Sequence, residues 1–237
     1  MHRNHYCAGC RLSRNQDWSL VPNRYDSVGP EAEFQPGSHS RVLRNRLSIT
    51  TVGELERKES ELLLAATQQT IDATRVDQRF TADDVRRMHH RWLGDIFEWA
   101  GEYRNVNIAK GSFMFAAATQ VPRLMRDFEL GVLREYTPCQ FETIDDQATA
   151  IATVHAELIL IHPFRDGNGR CARLLSVLMA LQSGLPALDF GGVRAAKKRA
   201  YISAVHSALS RDYAPMIEVF RGVITRTLKT VAKTSSE

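Results

Sequence analysis

The sequence predicts an all-α domain carrying one short β-hairpin. Three observations carry that reading. Apolar residues recur at helical spacing from about residue 47 onward, strand-like alternation is confined to residues 103–115, and no unit repeats at solenoid spacing.

The elements follow in order. Residues 1–44 hold Pro22, Gly29, Pro30, Pro36 and Gly37 with weak periodicity, and are expected to form an irregular arm. Residues 45–228 are expected to form the domain, with 229–237 as a tail. Ser48, Thr50 or Thr51 can cap a first helix whose apolar positions include Leu55, Leu62, Leu63 and Ala66. Thr81-Ala82-Asp83-Asp84 starts a second, running through Val85, Met88, Trp92 and Ile96 until Gly101 stops it. The stretch 103–115 reads as two strands around Ala109-Lys110-Gly111-Ser112. Helices are expected again over about 120–133, 145–161, 168–183, 197–210 and 213–231.

Bulk properties narrow the function. Of 237 residues, 43% are hydrophobic and 24% charged, which is ordinary for a soluble globular chain. No run of about 18 apolar residues is present, so no membrane span is expected. His2, Arg3, Asn4 and His5 stand where a secretory signal needs an apolar core, which points to the cytoplasm and leaves export as an effector open. The net charge of +4 is dispersed, and Arg194, Lys197, Lys198 and Arg199 have the spacing of a solvated helix face. Nucleic acid is therefore not expected as a partner. Cys7 and Cys10 form a Cys-x-x-Cys pair near His2 and His5, but a second close ligand pair is missing, so no zinc site is read there. Cys139 and Cys171 read as reduced thiols.

The chemistry concentrates between Ile151 and Leu181. Ile151, Val154, Leu158 and Ile161 make a core-facing stripe, and Pro163 ends that helix, leaving His162 at the mouth of a loop. Phe164 is apolar in a polar turn and should plug inward. Gly167, Asn168 and Gly169 let consecutive amides converge on one point, where the next helix also presents its free N–H groups. Arg170 and Arg173, three residues apart, add positive charge on one side of that helix. Amide nest, helix terminus and guanidiniums suit a polyphosphate. Asp166 can hold a magnesium ion beside it, and His162 can accept a proton near neutral pH.

His162 through Arg173 resembles the signature of the Fic family, His-x-Phe-x-Asp/Glu-Gly-Asn-Gly-Arg-x-x-Arg, with every fixed position present. The resemblance implies the family's all-α fold over roughly 45–228. It also implies transfer of AMP from ATP to a Tyr, Thr or Ser hydroxyl of a target protein, with Mg2+ as cofactor. His162 would be the general base and Asp166 the magnesium ligand. Asn168, with the Gly167 and Gly169 amides, would hold the α-phosphate, while Arg170 and Arg173 neutralise the departing pyrophosphate. The hairpin is similar to the family's target-docking flap. Asn107, Ile108 and Ser112 would meet the target there, and Lys110 and Gly111 would cover the nucleotide. Tyr201 sits where the family has an adenine-pocket residue. Gly169 stands where phosphate-transferring relatives carry Lys, which favours nucleotidyl transfer. The alternatives are a catalytically weak nucleotide- or partner-binding module, or transfer of a different nucleotide.

Many relatives restrain themselves with a Ser/Thr-x-x-x-Glu-Gly/Asn helix. Thr50 and Glu54 match its first spacing, but Leu55 follows. The resemblance therefore leaves two options, of which the first is preferred: a toxin-like enzyme whose inhibitory glutamate comes in trans, from a small antitoxin-like protein pairing with Arg173, or an unrestrained enzyme.

Overall fold

Thr51 decides where the first helix begins. Its hydroxyl accepts from the Glu54 amide, satisfying one orphan donor of the first turn, and α1 runs Val52–Ala73. The computed structural model describes residues 31, 33–111, 113–191 and 195–234. Most of the arm, the Cys7/Cys10 pair and Ser112 of the expected flap lie outside the described residues.

The expected start at Thr81 is present as a reciprocal box. Thr81 accepts from the Asp84 amide, and the Asp84 carboxylate accepts from the Thr81 amide, opening α2 (Ala82–Leu93). This helix is shorter than the expectation that it reaches Ile96 and Gly101. The Gly94 amide closes on His90 and the chain turns. Ile96, Phe97 and Ala100 thereby drop into a small second core with Trp92, Leu93, Leu55 and Ala66. Burial, not helical continuation, accounts for the apolar spacing there.

The hairpin is also shorter than its sequence signal. Only β1 (Ala109–Lys110) and β2 (Phe113–Met114) pair, antiparallel, with Ala109 opposite Met114 and Lys110 opposite Phe113. Just outside them the Phe115 amide still donates to the Ile108 carbonyl, whereas further upstream the Arg104 amide donates to the Pro163 carbonyl. Beyond the hairpin, α3 (Val121–Phe128) passes through a π-helical turn at Glu129–Leu133 into α4 (Arg134–Tyr136).

The central element is α5 (Ile144–Ile161), capped by Thr143 and buried almost all round. Helices α6 (Asn168–Gln182), α7 (Ala195–Ala208) and α8 (Ala214–Thr234) pack around it. Their seam holds Ile151, Leu158, Leu175, Leu178, Met216 and Phe220, all nearly inaccessible to water. Each such side chain contributes roughly 1.5–3 kcal/mol of burial, which fixes the α5–α6 junction as a rigid mount. Among the described residues, no helix is long and apolar enough to cross a membrane.

Candidate active site

The α5–α6 junction begins where α5 runs out of helix. The His162 amide makes the last helical bond, to Leu158, and His162 itself takes a left-handed conformation (φ 52°) that Pro163 does not extend. Its ring nitrogen Nδ1 lies 3.0 Å from the Ile159 carbonyl. A carbonyl only accepts, so Nδ1 carries the proton and Nε2 keeps its lone pair. Phe115 stacks on the ring at 3.7 Å. Burial, followed by the nearby Arg104 and Lys110 charges, pushes the imidazole pKa down to about 4, against the Ile159 bond and Asp166. The imidazole is therefore neutral at ordinary pH.

Phe164 plugs inward as expected, fully buried and stacked on His89 at 3.9 Å. Asn168 reaches back to this residue, accepting from its amide at 2.8 Å and donating to its carbonyl at 2.7 Å. At 3% exposure, its side chain holds the turn together from within. Its Oδ1 and one of its two amide N–H groups are thereby engaged by the backbone of the loop.

Asp166 is partly exposed, and its Oδ1 accepts from the Gly167 amide at 2.6 Å. Gly167 is left-handed at φ 79° and serves as the N-cap of α6, with no side chain capping the first-turn amides. The Arg170 and Cys171 amides both bond to the Gly167 carbonyl, at 3.0 and 2.9 Å, so the Asn168 and Gly169 amides are the ones left at the positive end of the helix dipole. A Cβ at Gly167 would sit 2.7 Å from Trp92, whereas one at Gly169 meets nothing within 4 Å. Only the first glycine is demanded by packing.

The two arginines part company. Arg170 forms an ion pair with the buried Glu59 of α1 at 2.6 Å, and its guanidinium lies over the Trp92 ring at 4.3 Å. Trp92 in turn donates from Nε1 to the Glu59 carbonyl. The shared face expected for the pair is thus divided between two tasks: Arg170 is tied to α1 and α2, while Arg173 lines a cavity of about 420 Å³. Lys110 and Tyr201, both expected at the nucleotide, line the same cavity, together with His155, Lys198, Phe190 and Phe220. Desolvation lowers the Arg173 pKa against the attraction of Tyr201, and Arg170 lowers it further.

On the hairpin, Asn107 is exposed and accepts from the Ala118 amide. Ile108 is 7% exposed, so its side chain is buried at the foot of the hairpin. Gly111 is exposed at the tip with φ 61°.

Four residues were not legible as site residues. His89 is fully buried, accepts from the Gly101 amide at Nδ1 and donates from Nε2 to the Asp166 carbonyl. His155 faces Ser176 at Nδ1 and accepts from the Tyr201 hydroxyl at Nε2, which fixes the Tyr201 ring in the cavity wall. Arg104 and Glu59 complete the set. The usable signal was the same throughout: a polar residue at an apolar position of a helical or extended stretch.

Residues 79–180 match the model of the Fic/DOC family. The likeness to that family covers this segment of the chain. Among its relatives, protein adenylyltransferase VbhT of Bartonella schoenbuchensis is 30% identical over 60% of this chain and 30% of its own length. The probable protein adenylyltransferase y4lH of Sinorhizobium fredii is 27% identical over 85% of this chain and 99% of its own. The chain thus spans under a third of VbhT and nearly all of y4lH. The crystal structure of BepC, a VirB-translocated effector protein of Bartonella tribocorum with bound AMPPNP, superposes with a TM-score of 0.63. It is 21% identical and covers 77% of this chain and 92% of that one. The Fic fold accounts for the helical bundle and for the loop that joins α5 to α6.

Proposed function

We propose that this chain is a Fic protein that transfers AMP from ATP to a hydroxyl side chain of a target protein, releasing pyrophosphate. The observation that carries the reading is a neutral His162, Nε2 lone pair available, at the mouth of the Gly167 turn and within reach of the charge of Lys110, which lines the cation-rich cavity. The names of the adenylyltransferase relatives support it.

The triphosphate is taken to lie between the α6 amides and Arg173, with Lys110 over it and the base against Tyr201. His162 Nε2 accepts the proton of the attacking hydroxyl, whose oxygen bonds to the α-phosphorus as the bond to the bridging oxygen breaks. Pyrophosphate leaves with its charge met by Arg173 and Lys110. A bound triphosphate raises the His162 pKa, because a nearby negative charge favours the imidazolium. Most of the rate then comes from positioning and charge stabilisation.

The donor set fits a magnesium ion: Asp166 is one partly exposed carboxylate beside an anion-holding turn, and magnesium is commonly held by one or two carboxylates plus substrate phosphates. Asp166 would hold it, and the ion when bound neutralises charge on the α- and β-phosphates. Because Glu59 takes Arg170, Arg173 is where an antitoxin-like glutamate supplied in trans would pair. The cytoplasm of the producing cell is the proposed place of action, or that of a recipient cell if the protein is exported.

α-Labelled ATP with candidate protein acceptors tests the reading. Label should become protein-bound, and His162→Ala should lower transfer by about two to four orders of magnitude if general-base action is the main loss. Tight ATP binding with no label on protein overturns it.

A further inference from the structure

Arg104 is the buried group that the proposed mechanism leaves unused. It lies just before the hairpin and is 2% exposed. Its backbone amide donates to the Pro163 carbonyl at 2.8 Å. Its Nε donates to the His162 carbonyl at 2.7 Å. The remaining donors go to Val106 at 2.8 Å and Ala116 at 2.5 Å, with Ile161 at 3.5 Å. Val106 lies at the entry of the hairpin and Ala116 at its exit. Ile161 and His162 are the last turn of α5. One planar fork therefore joins both feet of the hairpin to the residue that carries the base.

An ordinary packing role does not account for this choice of partners. A buried guanidinium is costly unless compensated, and carboxylates are the usual compensation. Arg104 has instead a set of carbonyls, four from its side chain. Desolvation pulls its pKa down to about 10, with Glu31 offsetting part of the loss. The fork suits the end of α5, where free carbonyls and the negative helix terminus favour a cation. The same carbonyls also include that of His162, whose left-handed backbone depends on its surroundings to persist. Phe115, one residue before Ala116, stacks on the His162 ring. Hairpin and imidazole thus meet twice, once through Arg104 and once through Phe115.

We propose that Arg104 is a positioning residue that couples the placement of the hairpin to that of the His162 imidazole. The coupling rests on the reading of His162 as the base and of the hairpin as the acceptor-docking element. It brings an acceptor hydroxyl delivered along β1 or β2 into register with Nε2, so that a hairpin out of place also displaces the base. Arg104 touches no reacting atom.

The test uses the full chain with Arg104→Met, which keeps the stem and removes the fork, and Arg104→Lys, which keeps the charge without the fork. Hydrogen exchange reads the amides of residues 106–116, NMR of the labelled histidine rings reads His162, and α-labelled ATP reads transfer. In both variants, hairpin exchange should quicken by about tenfold or more as charge-assisted bonds are lost. The His162 ring signal should move with it, while α1 and α8 exchange as in the parent chain. Transfer should fall by a larger factor than ATP binding, and Arg104→Lys should lie between parent and Arg104→Met. Phe115→Ala should reproduce part of the His162 displacement, with a smaller effect when Arg104 is already Met. The inference is overturned if the hairpin loosens with the His162 signal unmoved, or if both variants speed exchange uniformly through α1 and α8. A parent chain that binds ATP and labels nothing refutes AMP transfer alone. The exchange and NMR results then still decide the coupling.

Discussion

Gly167→Ala should unsettle the fold before it touches any ligand. The residue sits at φ 79° and an added Cβ would come 2.7 Å from Trp92 Cζ3 and 3.2 Å from both Trp92 Cη2 and His89 Nε2. Trp92 cannot swing away cheaply, since its Nε1 is bonded to Glu59 and its face carries Arg170. His89 is bonded at both nitrogens. A left-handed non-glycine residue costs roughly 1–2 kcal/mol, and overpacking adds roughly 1–3 kcal/mol. The sum, roughly 2–5 kcal/mol, lowers Tm by about 4–20 °C in a chain of this size. Gly169→Ala is the control: its Cβ meets nothing within 4 Å inside α6, and alanine there gains up to roughly 1 kcal/mol of helix propensity. Thermal melts by circular dichroism, without nucleotide, decide between the two. A Gly167→Ala melt matching the parent, or a Gly169→Ala melt equally lowered, would refute the packing argument.

Other perturbations have defined outcomes. Glu59→Ala strands the Arg170 charge and should destabilise toward the lower end of the roughly 3–5 kcal/mol seen on breaking buried pairs, as Arg170 keeps some solvent. Glu59→Gln should cost less, and urea titration measures both. His89, His155 and His162 have folded pKa values pushed by burial to about 4, 3 and 4. Each is lowered in the fold, so the unfolded chain takes up protons first. Their stabilisation is complete above the unfolded value near 6.5 and is lost as pH falls toward the folded values. Between about pH 6.5 and 5.5 the three together lose on the order of 3 kcal/mol, or roughly 6–12 °C in Tm. A flat Tm across that interval would contradict their burial as neutral rings. Cys139 and Cys171, whose thiols burial pushes to about 12, should resist alkylation until the chain unfolds, as peptide mass spectrometry can show.

The start at Thr81 was legible, and Thr51 was one of three candidates for the first helix, because capping is a local bond between near neighbours; the cap at Thr143 was not read. Nor was the end of α2. Ile96 and Phe97 keep helical spacing for another reason: they fill a second core against α1. The junction 162–173 was legible as chemistry, since its residue types are gathered in one short stretch. Its internal division of labour was not. Whether Arg170 joins Arg173 or Glu59 depends on a contact spanning 111 residues of sequence. The same holds for Arg104, whose partners across the fold no local pattern names.

The cavity beside Arg173 draws Phe190, Lys198, Tyr201 and Phe220 from beyond residue 180, outside the segment that matches the family. On the proposed reading, part of the ligand-contouring wall thus lies outside that segment, while Lys110, His155 and Arg173 of the same wall lie within it. Drift in α7 and α8 can retune which small molecule is admitted while leaving the transfer apparatus intact. Designers seeking an altered donor preference would do best to vary that outer wall first.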